Sequence, residues 1–268
     1  TRGPRTDWRG APAVELPVFA VDEYPEPLYM LAPRIAECFN SAMHRLPMVD
    51  DFTPFAPGED GAAYVHRWLG DVLPPSHETW ADTCSDEALT RLCLHGLGAH
   101  RVERVTSGGE AAFCVRTNAL APMRVREGYA HYGGDAYFDT NWRVLCIVRA
   151  EVEDGRWVRD RAHTPDDPGW EYAKFAFRGS LLTLVTVVDH LHEIHLVWAA
   201  AVVRAMREEL DADHPIRRLL TPFTFGTIGV NDRIHDHLIA PASLGDRVFA
   251  FSEEGFEAVW RAAPSLVR

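Results

Sequence analysis

Long apolar runs are scarce in this 268-residue sequence. The longest largely apolar stretch, Leu181 to Val188, ends at Asp189 and a group of histidines, too short and too soon interrupted for a membrane span. Clusters of basic residues are missing too. The formal net charge is -12, which excludes general affinity for nucleic-acid backbones, since phosphates need dense Lys/Arg. Arginine greatly outnumbers lysine, as GC-rich coding produces. The five cysteines (Cys38, Cys84, Cys93, Cys114, Cys146) form an odd set without C-x-x-C spacing. That excludes a zinc ribbon or a disulfide scaffold and leaves buried free thiols as the expectation. There is no G-x-x-x-x-G-K, so Gly108-Gly109 and Gly133-Gly134 read as turns rather than phosphate cradles. No G-x-S-x-G elbow supports a serine hydrolase. Internal repeats and low-complexity tracts are also lacking. The sequence opens on Thr1 instead of methionine, which leaves room for a targeting peptide already removed. What remains is ordinary globular material, 47% apolar and 25% charged, enough for a sizeable core.

Residues 1–27 carry Pro4, Pro12, Pro17, Pro25 and Pro27 with little periodicity, which predicts an extended arm lying on another surface. Trp8 within it suggests docking onto a partner, a larger protein assembly. From Leu28 to Leu46 the residues Leu31, Ile35, Phe39 and Met43 recur every four positions, predicting an amphipathic helix that Pro47 ends. Ala62 to Val72 reads as another short helix. Ser85, followed by Asp86 and Glu87, is a good helix start, with a stop at Gly96 or Gly98. Strand-like pieces follow at Ala111–Arg116 and Val144–Val152. A helical region begins near Trp170 and runs at least to Glu209, breaking near Asp211–Pro215 because Pro215 disfavours helix at His214. A further helix is expected over Ile216–Leu220, another after Phe223, and a short one around Glu254–Ala262.

The chemistry concentrates between Asp189 and Asn231. His190, His192 and His195 sit in an otherwise apolar segment, where imidazoles are costly to leave without partners. An ideal α-helix turns about 100° per residue, so His190 and His195 would stand about 140° apart, on different faces. A local widening to π geometry turns them towards one side. His192 and His195 share a face already, but His192-Glu193-Ile194-His195 is one residue short of the H-E-x-x-H of zinc proteases. These residues leave two readings open, metal binding and hydrogen-bonded buried histidines. His235, Asp236 and His237 form a second cluster that reads either as replacement ligands or as a solvated polar loop.

The same stretch resembles the lipoxygenase family. There a helix carries an H-x4-H pair that binds non-haem iron, followed by H-P-I/L-x-x-L-L-x-P-H-x-x-x-T-x-x-I-N. This sequence has His190-x4-His195, then His214-Pro215-Ile216, Leu219-Leu220, Pro222, Thr227 and Val230-Asn231. Upstream, Trp170, Ala173-Lys174 and Phe177-Arg178 resemble the W-x-x-A-K-x-x-V-R lead-in to that helix. The likeness extends over residues 84–245 and is specific at 170–231. It implies a mainly α domain with minor β-strands, residues 28–268, built around a long central helix as part of a lipoxygenase-like catalytic domain. It implies iron (Fe, non-haem) as cofactor, His190 and His195 as ligands, and Asn231, Thr227 and His214 supporting them from behind. Leu191, Ile194 and Trp198 would face the acyl chain. The implied activity is that of a dioxygenase inserting dioxygen into a polyunsaturated fatty acid or other lipid.

The departures shape this expectation. The family's histidine after Leu-Leu-x-Pro is Phe223 here, and its glutamate four residues past the second ligand is Ala199. Lipoxygenases complete the iron shell with a third histidine, often an asparagine, and a C-terminal isoleucine carboxylate, on segments beyond the counterpart of Asn231. This sequence ends in Val267-Arg268, so the resemblance implies an incomplete iron shell. A facial set of two histidines and one carboxylate is the usual minimum for ferrous iron. The alternative is a non-catalytic lipoxygenase-like chain, a structural or lipid-binding subunit of a larger complex, soluble or membrane-peripheral. An iron- or zinc-binding hydrolase has only the histidine count behind it.

Overall fold

The computed structural model describes residues 82–106, 109–153, 156–224, 227–234, 238–240, 243, 245 and 248–267. The proline-rich arm, the helices expected over Leu28–Leu46 and Ala62–Val72, and the cluster His235, Asp236 and His237 lie outside these residues. The described residues fall into two compact units, one of residues 82–193 with 239–267 and the other Ile194–Leu238.

The first unit begins with α1 (Asp86–Leu94). Ser85 starts it as expected, its Oγ accepting the Ala88 N–H at 3.1 Å, with Asp86 and Glu87 favourable against the helix dipole. A 3₁₀ turn, Ala99–Arg101, leads into five antiparallel strands: β1 (Val102–Arg104), β2 (Phe113–Arg116), β3 (Asp135–Phe138), β4 (Val144–Glu153) and β5 (Arg156–His163). They pair in sequence order, β1 to β5. The register puts Val102, Val115, Ala136 and Ile147 in one row and Phe113, Phe138 and Val144 in the next. Because side chains alternate across a strand, both rows face the same side. There they meet Leu89 and Cys93 of α1 and Trp170, Ala173, Phe177 and Leu181 of α2 (Trp170–Thr183). The α2 residues recur at intervals of three and four, the stripe a helix needs to lie on a sheet.

The sheet corrects the expectation of a mainly α domain with minor strands. Helix accounts for 52% of the described residues and strand for 18%, and the sheet forms one wall of the core. The unit is α+β. Three strands carry no legible signal. β1 is three residues long, β3 follows two glycines, and β5 is exposed along nearly its whole length with the sequence Arg-Trp-Val-Arg-Asp-Arg-Ala-His. β5 forms because β4 offers it a ladder from Glu153 back to Ile147, not because its own residues alternate.

Polar ties hold α2 to this wall. Gly133 has φ of 101°, and a Cβ there would lie 2.8 Å from that of Ala121, so the turn before β3 requires glycine. Its N–H donates to Ser180 Oγ of α2 at 2.7 Å. Asp135 Oδ1 accepts the N–H groups of Thr117 and Asn118 at 2.8 and 2.9 Å, and Asn118 in turn bonds Val148 and Ala150 on β4. Burial nonetheless raises the Asp135 carboxyl above its ordinary value, against the lowering effect of those N–H groups and of Arg116.

Lys174, the only lysine in the sequence, is buried on α2. Its Nζ donates to Glu171 at 2.7 Å, to the Cys84 carbonyl at 2.7 Å and to Asp86 at 2.9 Å. Burial pulls its ammonium down, but the bonds to Glu171 and Asp86 more than reverse this, and the net shift is upward. Trp170 Nε1 donates to the same Asp86 oxygen at 2.9 Å, so one carboxylate joins the starts of α1 and α2.

The chain closes with α6 (Glu253–Leu266), capped by Ser252 Oγ on the Gly255 N–H. Gly255 lies so close to the Arg124 carbonyl that a Cβ would sit 1.9 Å from it. The second unit holds α3 (Ala200–Glu209), α4 (Pro215–Leu220) and α5 (Thr227–Ile234), with α3 packed on α5. No helix among the described residues is long and apolar enough to cross a membrane. Cys93 and Cys114 are buried free thiols as expected, Cys146 is half-buried, and Cys84 is exposed. Burial pushes the Cys93 thiol up to about 12, against the pull of Arg178, so it is inert at neutral pH.

Two outcomes follow from the buried charges. Because the folded Asp135 pKa is raised, its favourable contribution is complete below its ordinary value of about 4 and is lost as pH climbs through the raised one. Denaturant titration of the wild type and Asp135→Asn at pH 4 and pH 7 should show the wild type losing ground to the variant at the higher pH; an unchanged gap refutes this. Lys174→Met leaves the Cys84 carbonyl and the Asp86 carboxylate without their cationic donor. We expect a loss of about 1.5–3 kcal/mol, read from the urea midpoint.

Candidate metal-helix site

α2 passes without a break into a π-helical segment, Leu184–Ala199, and then into α3. π geometry is rare and mostly confined to single-turn bulges, so sixteen residues of it are unusual. The local sequence helps explain why. Val185, Thr186, Val187, Val188, Ile194 and Val197 are β-branched and crowd the preceding turn of an α-helix, and a wider turn relieves that crowding. In an i→i+5 ladder, residues five apart are neighbours on successive turns. That is the spacing of His190 and His195 along this continuous segment.

The sequence-derived residues are distributed as follows. His190 is exposed, and His195 is half-buried, with its backbone carbonyl accepting Asn231 Nδ2 at 2.6 Å. Asn231 lies on α5, which begins at Thr227, and its carboxamide oxygen is buried with no hydrogen-bond partner among the described residues. Asn231 therefore supports the backbone that carries the second imidazole rather than the imidazole itself. His214 is the N-cap of α4, its Nδ1 accepting the Ile216 N–H at 3.2 Å ahead of Pro215, so this nitrogen serves the helix start. Leu191 is half-buried, while Ile194 and Trp198 are 52% and 59% exposed and offer open apolar surface rather than an enclosed lining. Phe223, standing where the family has a histidine, is 81% exposed.

His192, which shares a face with His195 only in a regular helix, is 2% exposed and meets the Trp260 ring of α6 edge-on at 6.0 Å. Its Nδ1 lies 4.0 Å from the Glu193 carboxylate. This is a core histidine.

Sequence reasoning missed Arg101 and His100. Arg101 is 2% exposed, and its guanidinium forks onto both oxygens of Asp189, with Nε at 2.6 Å from Oδ2 and Nη2 on Oδ1. His100 Nε2 lies 2.6 Å from the same Oδ2, and Arg101 Nη2 also donates to the Leu266 carbonyl at 3.2 Å. Nothing in Ala99-His100-Arg101-Val102 marks these residues, because their partner is 88 and 89 positions away. The carboxylate next to His190 is thus committed to a guanidinium.

Among the described residues no group of three or more His, Cys, Asp or Glu side chains gathers to hold a metal ion. A facial set of two histidines and one carboxylate, the usual minimum for ferrous iron, is not gathered among the described residues.

No protein-family model matches the chain, and no curated protein matches it. Among solved structures the chain is similar to the crystal structure of a 9R-lipoxygenase from Cyanothece PCC8801, with a TM-score of 0.55 and 20% sequence identity, over 76% of this chain and 32% of that one. The chain spans about a third of the length of that protein. At this identity the likeness concerns the fold alone, and over three quarters of its length the chain has a lipoxygenase-like fold.

Proposed function

We propose that this chain is the metal-helix part of a lipoxygenase-like non-haem iron protein acting on polyunsaturated fatty acids. His190 and His195 contribute two imidazoles, and the remaining ligands come from polypeptide outside the described residues. The observation that supports this reading is the π-helical segment Leu184–Ala199, within which the H-x4-H pair falls. The lipoxygenase-like fold supports it. Iron bound in such a protein supplies the oxidation that lets dioxygen add to a polyunsaturated acyl chain. Since the described donors do not complete a shell, the residues here are assigned only to holding and positioning. Asn231 steadies the backbone at His195, and Leu191, Ile194 and Trp198 offer apolar surface to an acyl chain.

A second reading, a non-catalytic lipid-binding or structural subunit of a larger complex, is favoured by Phe223, 81% exposed where the family has a histidine. Iron content by mass spectrometry separates the two. On the iron-protein reading, the full natural polypeptide purifies with stoichiometric iron that His190→Ala and His195→Ala abolish, and it consumes oxygen on linoleate. Asn231→Ala, which keeps both imidazoles, should weaken iron affinity by about tenfold. Iron-free protein that cannot be loaded and takes up no oxygen would leave the subunit reading standing.

A further inference from the structure

We infer that Arg101, acting through Asp189, is the positioning residue that holds the Leu184–Ala199 segment in π register. The fork between them ties together three elements far apart in sequence: the 3₁₀ turn before β1, the middle of the π segment, and the end of α6 through the Leu266 carbonyl. Arg101 is 2% exposed and the Asp189 side chain 17%, so this is a nearly desolvated ion pair. Such pairs are expensive to bury and contribute little net stability compared with apolar replacements, and their best-attested use is to specify one register over another. A register is what the segment has to choose. An apolar run with β-branched residues at six positions can wind as α or as π, and the two differ in where every later side chain points. His100 reinforces the selection by bonding Asp189 Oδ2 at 2.6 Å, and His192, three residues on, packs against Trp260 of the same α6 whose last turn Arg101 holds. Asp189 and His192, three residues apart and so on different faces of a π ladder, hold the segment at two successive points.

The consequence reaches the histidines. In an α ladder His190 and His195 would stand about 140° apart, and a change of winding alters that angle. Only this consequence rests on the iron-protein reading. The register lock itself stands without any metal.

The test is amide hydrogen exchange, residue by residue, on the full chain and on Arg101→Met, Asp189→Asn and Arg101→Lys. Asp189→Asn preserves shape and one acceptor while removing the charge that the fork requires. We expect exchange across Leu184–Ala199 to quicken by about tenfold or more in Arg101→Met and Asp189→Asn, with β3 and β4 amides unchanged, and Arg101→Lys to restore part of the protection. Backbone carbonyl chemical shifts of the same segment should move towards α values. Unchanged exchange and shifts in the segment overturn the proposal. So does a loss spread equally over β3, β4 and the segment, which would make the pair a general stabiliser. Should Arg101→Met fail to fold, Asp189→Asn and Arg101→Lys decide the matter. Iron content is not part of this readout, so failure of the iron-protein reading leaves the result interpretable.

Discussion

The packing of Trp170, Ala173, Phe177 and Leu181 against the sheet is the constraint on which the rest of this unit depends. One continuous helix must serve two periods. Through Thr183 it keeps the α stripe that lies on Val115, Ala136, Phe138 and Ile147; from Leu184 it widens, and positions five apart become neighbours on successive turns. The first half is anchored by apolar burial over many contacts and has little freedom to shift. The second half starts from that fixed line, so its direction is inherited and only its winding is left to be determined.

Charge burial does the determining in both halves. Lys174 and Arg101 are buried cations in an acidic chain, and each ends in a fork of oxygen acceptors from segments distant in sequence. Lys174 joins the starts of α1 and α2 through Asp86, and Arg101 joins the π segment to the end of α6 through Asp189 and Leu266. An unpaired charge in either place would cost several kcal/mol, so these arrangements are intolerant of partial substitution even where their net stabilisation is small. The sheet uses hydrogen bonds for the same purpose. Asn118 bridges to β4, Asp135 gathers two backbone N–H groups, and Ser180 reaches Gly133.

Much of the helical content is readable because its signals are local. Ser85 before Asp86-Glu87, Pro215 after His214 and the apolar stripe of α2 act over one or two turns, and each sits where the chain pattern places it. The α6 helix is longer than the pattern suggests, running on through Pro264 to Leu266. Strands depend on partners. β4 shows its Val and Ile, while β5 is made of exposed arginines and becomes a strand only because β4 lies alongside.

The histidine segment divides in the same way. The sequence by itself determined that three imidazoles lie in an apolar helix, at a spacing that suits a widened turn, inside a pattern resembling one half of an iron site. Only the tertiary structure decided that His192 belongs to the core beside Trp260 and that Asp189 answers to Arg101 and His100. The physical reason is range. Helix propensity and capping act within a few residues, whereas the burial of a ring or the pairing of a buried charge depends on groups 68 to 89 positions away, which no local pattern encodes.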